Sequence, residues 1–441
     1  MLNYELLIKK AIESDFQNIE IIENQKKSLN ISVFDGKIDK NKISASSLIS
    51  IRAMYNDKMS NIVVEDHNFD LDEILKILKN NALSIESEEK NDIYEGDKLY
   101  PEVEINNYDF DKIPTSKKID LLLNIEKKSK ELDDRIVKVS DCMYFETSTS
   151  FKIINSKGLN VTKNFKYCYA GVGVVATQDG DTQNAYNIEA KKTFDELDCD
   201  AIASKAVKKA VAMFNAKQVK TDKYKIIFEN EAMSSIFTAF HSIFSGDAAI
   251  KKVTPLLGKE NEKVFSDKIT IIDNPLLKEA LEQQPFDDEG VACYEKVVVK
   301  NGVLNTLLHS LKTAKYFNKK STGNGFASGR GISARGANFY IEKGSKSKEE
   351  LIESLDKGLL ITEVEGLHSG VNPISGDFSI KASGFYIEGG KIIRPANLLV
   401  ISGNFINMMN NVIEVGSDIE INGNDIFTPS ILFEELPVSG E

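Results

Sequence analysis

Apolar and polar positions along the chain repeat with two spacings, which predict helices and strands in alternation. Residues 4–13 and Leu71–Leu83 carry apolar side chains three and four positions apart, as on one face of a helix. Period-two patterns predict strands at Asn18–Ile22, Ser28–Val33 and Leu48–Met54, and Asp35-Gly36 is typical of a hairpin turn. The first segment of the chain therefore combines helices with antiparallel strands.

The middle of the chain continues this pattern. From Ile136 to about Ala190 the sequence alternates and is rich in Thr, Val, Tyr and Phe, which predicts antiparallel strands. Helices are expected from Pro114 to about Leu132, from an Asp200 cap to Asn215, and over Glu231–Phe244. The fold class predicted from these elements is α+β, with helices packed on largely antiparallel sheets.

The second half is punctuated by turn and cap signals. Asn301-Gly302 predicts a hairpin, and Ser347 with Glu350 forms a capping box. We expect a short helix at Phe405–Asn411, a strand at Ile419–Ile421, and a frayed tail at Glu434–Glu441.

Length and linkers predict two domains, because 441 residues exceed one ordinary core. The expected N-terminal α+β domain spans 1–217, with subsegments of about 1–98 and 115–217, and the C-terminal domain spans 222–441. An acidic stretch from Ser84 to Asn107 favours a solvated connection between the subsegments over a metal site.

Charge and composition narrow the functional classes. The net charge of −12 argues against nucleic acid as a partner, since phosphate binding needs an excess of Lys and Arg. No apolar run is long enough to span a membrane, and the amino terminus lacks a signal-peptide pattern. Four cysteines without a C-x-x-C motif suit reduced thiols. We expect a cytoplasmic protein.

Two segments leave alternatives open. Residues 322–336 are glycine-dense without being a dinucleotide or phosphate-binding motif, so they are either a flexible loop or a segment that lets backbone approach a substrate or partner. The acidic Asp287-Asp288-Glu289 run is either a polar turn or a cation site.

The run from Glu365 to Phe385, EGLHSGVNPISGDFSIKASGF, is the most informative segment. Together with Ile401–Phe405, it resembles the C-terminal core of the TldD/PmbA family, whose members are described as metallopeptidase subunits. The family contains TldD chains, which carry His-Glu-x-x-x-His and a late Cys as metal ligands, and PmbA (TldE) chains, which lack them. Here no His is followed by Glu, no two His are close in sequence, and no Cys follows Cys293.

The resemblance also locates the missing motif. Alignment on Gly246-Asp247 places Phe237, Thr238 and Ser242 where a TldD chain has His, Glu and His. Phenyl and hydroxyl groups cannot replace two imidazoles and a general base. The neighbouring His241 is expected to be a hydrogen-bonded or partly exposed structural histidine rather than a ligand. We therefore expect no metal bound by this chain, with zinc in a partner chain.

The resemblance implies a PmbA/TldE-type, non-catalytic subunit of a two-chain metallopeptidase that acts on peptides or unfolded segments. Its partner would be a TldD-type chain, as a heterodimer, or a second copy of itself. Alternatives are a homodimeric peptide-binding or scaffold protein, and a hydrolase with a non-metal nucleophile; no nucleophile–base signature supports the latter. The cleft or peptide-contact candidates that the resemblance suggests are His368, Asn372, Asp377, Phe378, Gly323 and Gly325.

Overall fold

The computed structural model describes residues 3–65, 69–86, 92–328 and 331–441. His67 and part of the predicted acidic connection, Glu88 and Glu89, lie outside the described residues. In chain order the helices are α1 (Tyr4–Glu13), α2 (Leu71–Leu83), α3 (Thr115–Glu131), α4 (Cys199–Ala212), α5 (Asn230–Phe240), α6 (Gly246–Ile250), α7 (Leu311–Tyr316), α8 (Lys348–Glu353), α9 (Leu367–Gly370) and α10 (Phe405–Asn410). Short 3₁₀ turns occur at Phe110–Lys112, Phe194–Glu196 and His241–Phe244.

The strands fall into an N-terminal and a C-terminal group. The first group is β1 (Asn18–Phe34), β2 (Lys37–Tyr55), β3 (Lys58–Val64), β4 (Ile136–Asn155), β5 (Asn160–Gln178) and β6 (Asp181–Lys191). The second group is β7 (Asp222–Phe228), β8 (Ile271–Asp273), β9 (Lys296–Lys300), β10 (Val303–Leu304), β11 (Gly325–Ser328), β12 (Gly331–Ala334), β13 (Phe339–Ile341), β14 (Lys357–Glu365), β15 (Asp377–Glu388), β16 (Lys391–Asn404), β17 (Val412–Val415), β18 (Ile426–Phe427) and β19 (Ile431–Ser439).

The N-terminal strands form one antiparallel sheet in the order β3-β2-β1-β4-β5-β6. Near one end of the strands, Ile19 and Ile21 of β1 join a core with α1 and α2. Further along β1, Leu29 and Ile31 join a second core under α3 and α4. The middle of β1 is polar and exposed, which explains why the pattern predicted two strands where the structure has one.

The C-terminal half is built from two larger sheets around α5. Six strands in the order β16-β15-β14-β7-β19-β17 curl until β16 also pairs with β19. A second sheet has the order β10-β9-β8-β13-β18. Only the β7–β14 and β13–β18 pairs are parallel among the described strands. The prediction of an α+β fold with largely antiparallel sheets and packed helices is confirmed.

Several local predictions were wrong. The tail is strand β19 within the sheet, because its alternating Leu436 and Val438 are buried. Ile419–Ile421 forms no strand, and α4 is capped by Asp198, whose carboxylate accepts from Asp200 and Ala201 N–H, rather than by Asp200. In the glycine-dense segment, for which the sequence left two interpretations open, β11 and β12 pair antiparallel.

None of the described helices combines the length and the apolar composition that a membrane-spanning helix requires. All four cysteines are free thiols, as predicted.

Candidate functional site

A cavity of about 880 Å³ lies between the edge of the N-terminal sheet and helix α5. Strands β5 and β6 supply one wall, α5 supplies the opposite wall, and residues 420–427, which include β18, close one side. Four other cavities of the described residues are smaller, with volumes of about 290 to 670 Å³. Because α5 is the helix to which the resemblance assigns the family's metal motif, this cavity is the candidate site.

The cavity-facing side of α5 is polar. The Thr238 hydroxyl donates to the Ser234 carbonyl at 2.7 Å, and the Ser235 hydroxyl donates to the Glu231 carbonyl at 2.9 Å. His241 Nδ1 lies 2.6 Å from the Thr238 carbonyl oxygen. Since a carbonyl only accepts, Nδ1 carries the proton, and in the neutral imidazole Nε2 is then a free acceptor. His241 lines the cavity and is hydrogen-bonded, as predicted.

The positions aligned with the metal motif do not converge on the cavity. Phe237 is fully buried on the opposite side of α5 and stacks on Phe339. Thr238 lines the cavity, whereas Ser242 is exposed and does not. One phenyl ring in the core and two hydroxyls on different surfaces offer none of the imidazole, thiolate or carboxylate donors that zinc requires. These residues do not fit a zinc ion.

The opposite wall is aromatic. Tyr167 and Tyr169 alternate along β5 and are half-buried, and Tyr169 stacks on Phe145 with ring centroids 5.0 Å apart. Tyr186 of β6 lies across a glycine of β5: a Cβ at Gly171 would lie 2.6 Å from the Tyr186 hydroxyl. The glycine thus makes the space that the Tyr186 ring occupies.

Charged groups of both signs line the cavity, but the basic ones are paired. Lys209 Nζ lies 2.6 Å from Glu231, and Arg335 lies 3.3 Å from Asp425. Glu420 also lines the cavity and accepts from Asn422 at 3.0 Å.

The six predicted contact residues lie in three places, and none of them lines the cavity. Three of them are exposed: His368 on α9, Asn372 in the turn before β15, and Asp377, the first residue of β15. In the turn, the Asn372 side chain accepts from Ile374 N–H at 3.0 Å. Hydrogen bonds from Asn404 and Ser375 lower the pKa of Asp377. These contacts stabilise the turn itself.

Phe378 is buried beneath α5, edge-on to Phe240, and is therefore part of the core. Gly323 and Gly325 are also buried, beside the 286–290 turn. Gly323 has a φ of +66°, and a Cβ at Gly325 would overlap the Glu289 carboxylate. Both glycines permit a close approach, but the approach is to another part of the same chain.

The Asp287-Asp288-Glu289 run is a network of internal hydrogen bonds. Asp287 accepts from the N–H groups of Glu289, Val291 and Gly325 at 2.8–3.0 Å. Burial, and then the Glu289 charge, raise the pKa of Asp287 to about 7. No group of three or more His, Cys, Asp or Glu side chains in the described parts of the chain is placed to hold a metal ion. The structure favours the polar-turn interpretation.

Sequence reasoning missed the aromatic wall. The alternation of Tyr167 and Tyr169, followed by Gly171 and Gly173, predicts a strand but does not indicate a cavity wall. Small residues next to alternating tyrosines on one strand face were the available signal, but only the structure shows that Tyr186 of β6 fills that space.

Comparisons with known proteins point to one family. Residues 221–440 match the PmbA/TldA metallopeptidase C-terminal domain, and residues 108–214 match the PmbA/TldA metallopeptidase central domain. A metalloprotease PmbA homolog of Buchnera aphidicola is 33% identical over 318 residues, which cover 71% of this chain and 68% of that protein. A metalloprotease of Methanocaldococcus jannaschii is 27% identical over 96% of this chain and 94% of its own length.

Solved structures agree with this assignment. A crystal structure of a proposed modulator of a DNA gyrase from Thermotoga maritima has a TM-score of 0.92 and 29% identity, with 99% of each chain covered. The crystal structure of TldE from Thermococcus kodakarensis has a TM-score of 0.89 and 25% identity, again over 99% of each chain. The chain therefore belongs to the PmbA/TldD family of metallopeptidase-related proteins.

Proposed function

We propose that this chain is the non-catalytic, PmbA/TldE-type subunit of a two-chain metallopeptidase that acts on peptides or unfolded segments. The observation that carries the proposal is the packing of α5. The position aligned with the first motif histidine, Phe237, is a core residue stacked on Phe339 rather than a cavity-facing donor. The similarity to TldE from Thermococcus kodakarensis supports the same subunit type.

The proposed contribution of this chain is to position the substrate. A cavity with one polar and one aromatic wall suits an extended peptide, whose backbone needs hydrogen-bond partners and whose side chains need apolar surface. Holding the peptide before it reaches the partner's metal removes part of the entropy that the reaction would otherwise lose. In this scheme zinc and the activated water belong to the TldD-type partner, and no step of hydrolysis uses a metal on this chain.

The partner is proposed to be a TldD-type chain, with a second copy of this chain as the alternative. We also propose a cytoplasmic location, because free thiols suit a reducing compartment. The net charge of −12 supports peptide over nucleic acid as the ligand.

The test compares hydrolysis of an unstructured peptide by three samples: this chain, a TldD-type chain with His-Glu-x-x-x-His, and their mixture. Each is assayed with and without a chelator. We expect this chain alone to be inactive, and the mixture to exceed the partner alone in a chelator-sensitive way. A mixture no more active than the partner would favour the scaffold alternative. Chelator-resistant hydrolysis by this chain alone would favour a non-metal hydrolase.

A cavity-blocking variant links that activity to the site. Ser235 is exposed on the cavity side of α5, so Ser235→Trp should obstruct the peptide and raise the KM of the mixture. Ser116→Trp is the matched control, since Ser116 is also exposed on a helix but lies outside the cavity. Equal KM values for the two variants would show that peptide does not occupy this cavity.

A further inference from the structure

The aromatic wall of the cavity is an open, partly exposed surface of three tyrosines rather than a closed apolar pocket. Tyr167 and Tyr169 are half-buried, and Tyr186 keeps 41% of its surface exposed. Glycine at position 171 lets the Tyr186 side chain lie along the sheet, and Phe145 stacks behind Tyr169. The result is a shallow aromatic platform, which we define as Tyr167, Tyr169 and Tyr186.

Carboxylates surround this platform. Burial, the charges of Glu282 and Asp425, and a hydrogen bond with Glu282 all raise the pKa of Tyr167. Burial and the nearby Asp141 charge raise the pKa of Tyr186 to about 12. The phenols therefore remain neutral at physiological pH, and the platform lies in a field of negative charge.

The basic groups at the cavity do not cancel that field. Both basic side chains among the described residues that line it are engaged, Lys209 by Glu231 and Arg335 by Asp425. Arg335 also lies over the Phe326 ring, 4.8 Å from its centroid. Among the described residues that line the cavity, the three carboxylates of Glu231, Glu420 and Asp425 outnumber these two basic side chains, and Glu282 is hydrogen-bonded to Tyr167 of the platform. The charge at the platform is therefore acidic.

We propose that the aromatic platform is a subsite for a basic side chain, arginine above lysine, of the peptide that occupies the cavity. The inference rests on the proposed function, in which this cavity holds a peptide. A cation over an aromatic face is attracted by the ring quadrupole, and a planar guanidinium can also stack while its edge reaches a carboxylate such as Glu282. Ring faces and acidic groups in one place suit such a side chain better than an aliphatic or acidic one.

The experiment measures peptide affinity and not only hydrolysis. Two unstructured, fluorescently labelled peptides of the same length differ at one central position, arginine in one and norleucine in the other. Binding to the full chain and to its mixture with a TldD-type chain is followed by fluorescence anisotropy. We expect the arginine peptide to bind roughly three- to tenfold more tightly, the range that one partly exposed cation–π contact supplies.

Variants connect that ratio to the platform. Tyr169→Leu and Tyr186→Leu should each bring the affinity ratio towards one, while Tyr169→Phe keeps the ring face and should retain the preference. Tyr316→Leu is the control, because Tyr316 is 62% exposed on α7 and lies outside the cavity. Melting temperatures identify any variant that has lost its fold. Glu282→Gln should also reduce the ratio of arginine-peptide to norleucine-peptide affinity. If the Leu variants do not fold, the test compares Tyr169→Phe, which should keep the preference, with Glu282→Gln, which should lose part of it.

The outcomes separate the two proposals. Equal affinities for the arginine and norleucine peptides would overturn the subsite while leaving the peptide-binding role intact. A preference for the arginine peptide that survives both Leu substitutions would also overturn the subsite, because carboxylates away from the platform would then be responsible for the preference. Absence of measurable binding of either peptide, to the chain and to the mixture, would overturn the proposed function and the subsite with it.

Discussion

Phe237 lies flat against Phe339, with ring centroids 5.4 Å apart and ring planes 7° apart. Phe237 stands where the resemblance places a metal-binding histidine, and Phe339 belongs to a strand in the sheet beside α5. Phe244 meets Phe339 edge-on at 5.3 Å in the same cluster. Hydrophobic packing at this position takes the place of ligation, so α5 serves here as a core helix with one polar face.

Placing a histidine at position 237 should therefore destabilise the fold without creating a metal site. Truncation by Phe237→Ala should lower the free energy of unfolding by about 3–5 kcal/mol, because it leaves a cavity in a dense aromatic core. Phe237→His should also destabilise, since the imidazole would be buried without a designed partner. Urea denaturation measures both, with Thr238→Val on the exposed face as the control. A Phe237→His chain as stable as wild type would contradict the packing argument.

The purified chain should hold no stoichiometric zinc. The physical reason is the donor set: Phe237, Thr238 and Ser242 offer no imidazole, thiolate or carboxylate. Metal analysis after dialysis is the measurement, and a chelator should leave the melting temperature of the chain unchanged. About one tightly held zinc per chain would contradict the assignment of subunit type.

The sequence predicts helices and turns well where signals within one segment, such as helical periodicity or a turn residue pair, determine the local structure. Helix α2 begins and ends as predicted, and the Asp35-Gly36 turn has positive φ at both residues. Prediction from the sequence fails where contacts with distant parts of the chain decide whether a segment forms a strand. The exposed middle of β1 pairs on both sides with β2 and β4, and the tail becomes a strand because β7 offers it an edge.

The same distinction applies to the candidate site: part of it can be predicted from the sequence, and part only from the structure. The resemblance assigns the metal motif to Phe237, Thr238 and Ser242, and the identity of these residues is enough to predict that they offer no zinc donor. The cavity walls could not be predicted from the sequence, because Tyr186 and Thr238 meet across a space that only long-range folding creates. The cleft candidates Gly323 and Phe378 lie against other parts of the same chain.

Gly376 should resist substitution because of its backbone. Its φ of +82° confirms the turn geometry expected from Ser375-Gly-Asp377, and an added Cβ would lie 2.9 Å from the Asn404 amide nitrogen. Gly376→Val should cost more than about 1 kcal/mol of unfolding free energy. Gly331→Val is the control, since a Cβ at Gly331 meets nothing within 4 Å and its φ is not positive. Unchanged melting of Gly376→Val would remove the turn argument.

His309 should make the chain less stable in acid. Its side chain is buried, Nδ1 lies 3.3 Å from the Thr313 hydroxyl, and Nε2 has no hydrogen-bond partner. Burial, and then the nearby Lys319 charge, lower the pKa of His309 to about 4. Between its ordinary value near 6.5 and about pH 4, the unfolded chain binds the proton and the folded chain does not. Stability from this group is therefore full above pH 6.5 and falls as the pH falls to 4.

The measurement is the unfolding free energy across pH 4–7 for wild type and His309→Gln. Asp287 acts in the opposite direction, since its raised pKa favours the folded state as the pH falls from about 7. Asp287 is present in both proteins, so the difference between their curves of unfolding free energy against pH gives the contribution of His309. We expect wild type to lose more stability than His309→Gln as the pH is lowered. Parallel curves would show that His309 is protonated equally in both states.

Lys163 should hold the two halves of the chain together. It extends from β5 into the C-terminal half, where its ammonium donates to Asp288 at 2.8 Å and to the Phe286 carbonyl at 3.0 Å. The ammonium is 4.9 Å and 5.0 Å from the ring centroids of Phe151 and Phe286. Because the lysine is only 4% exposed, these contacts replace nearly all of its hydration.

Lys163→Met keeps the apolar stem but removes the charge, which leaves the Phe286 carbonyl and one Asp288 oxygen without a donor. The free energy of unfolding should fall by about 3–5 kcal/mol, the cost of breaking one side of a buried pair. The matched control is Lys127→Met, whose ion pair with Glu131 is exposed on α3 and should contribute at most about 1 kcal/mol. Calorimetry should then show a lower midpoint for Lys163→Met alone. Similar unfolding midpoints for the two variants would mean that apolar contacts hold the two halves of the chain together and that the Lys163–Asp288 ion pair does not stabilise their contact.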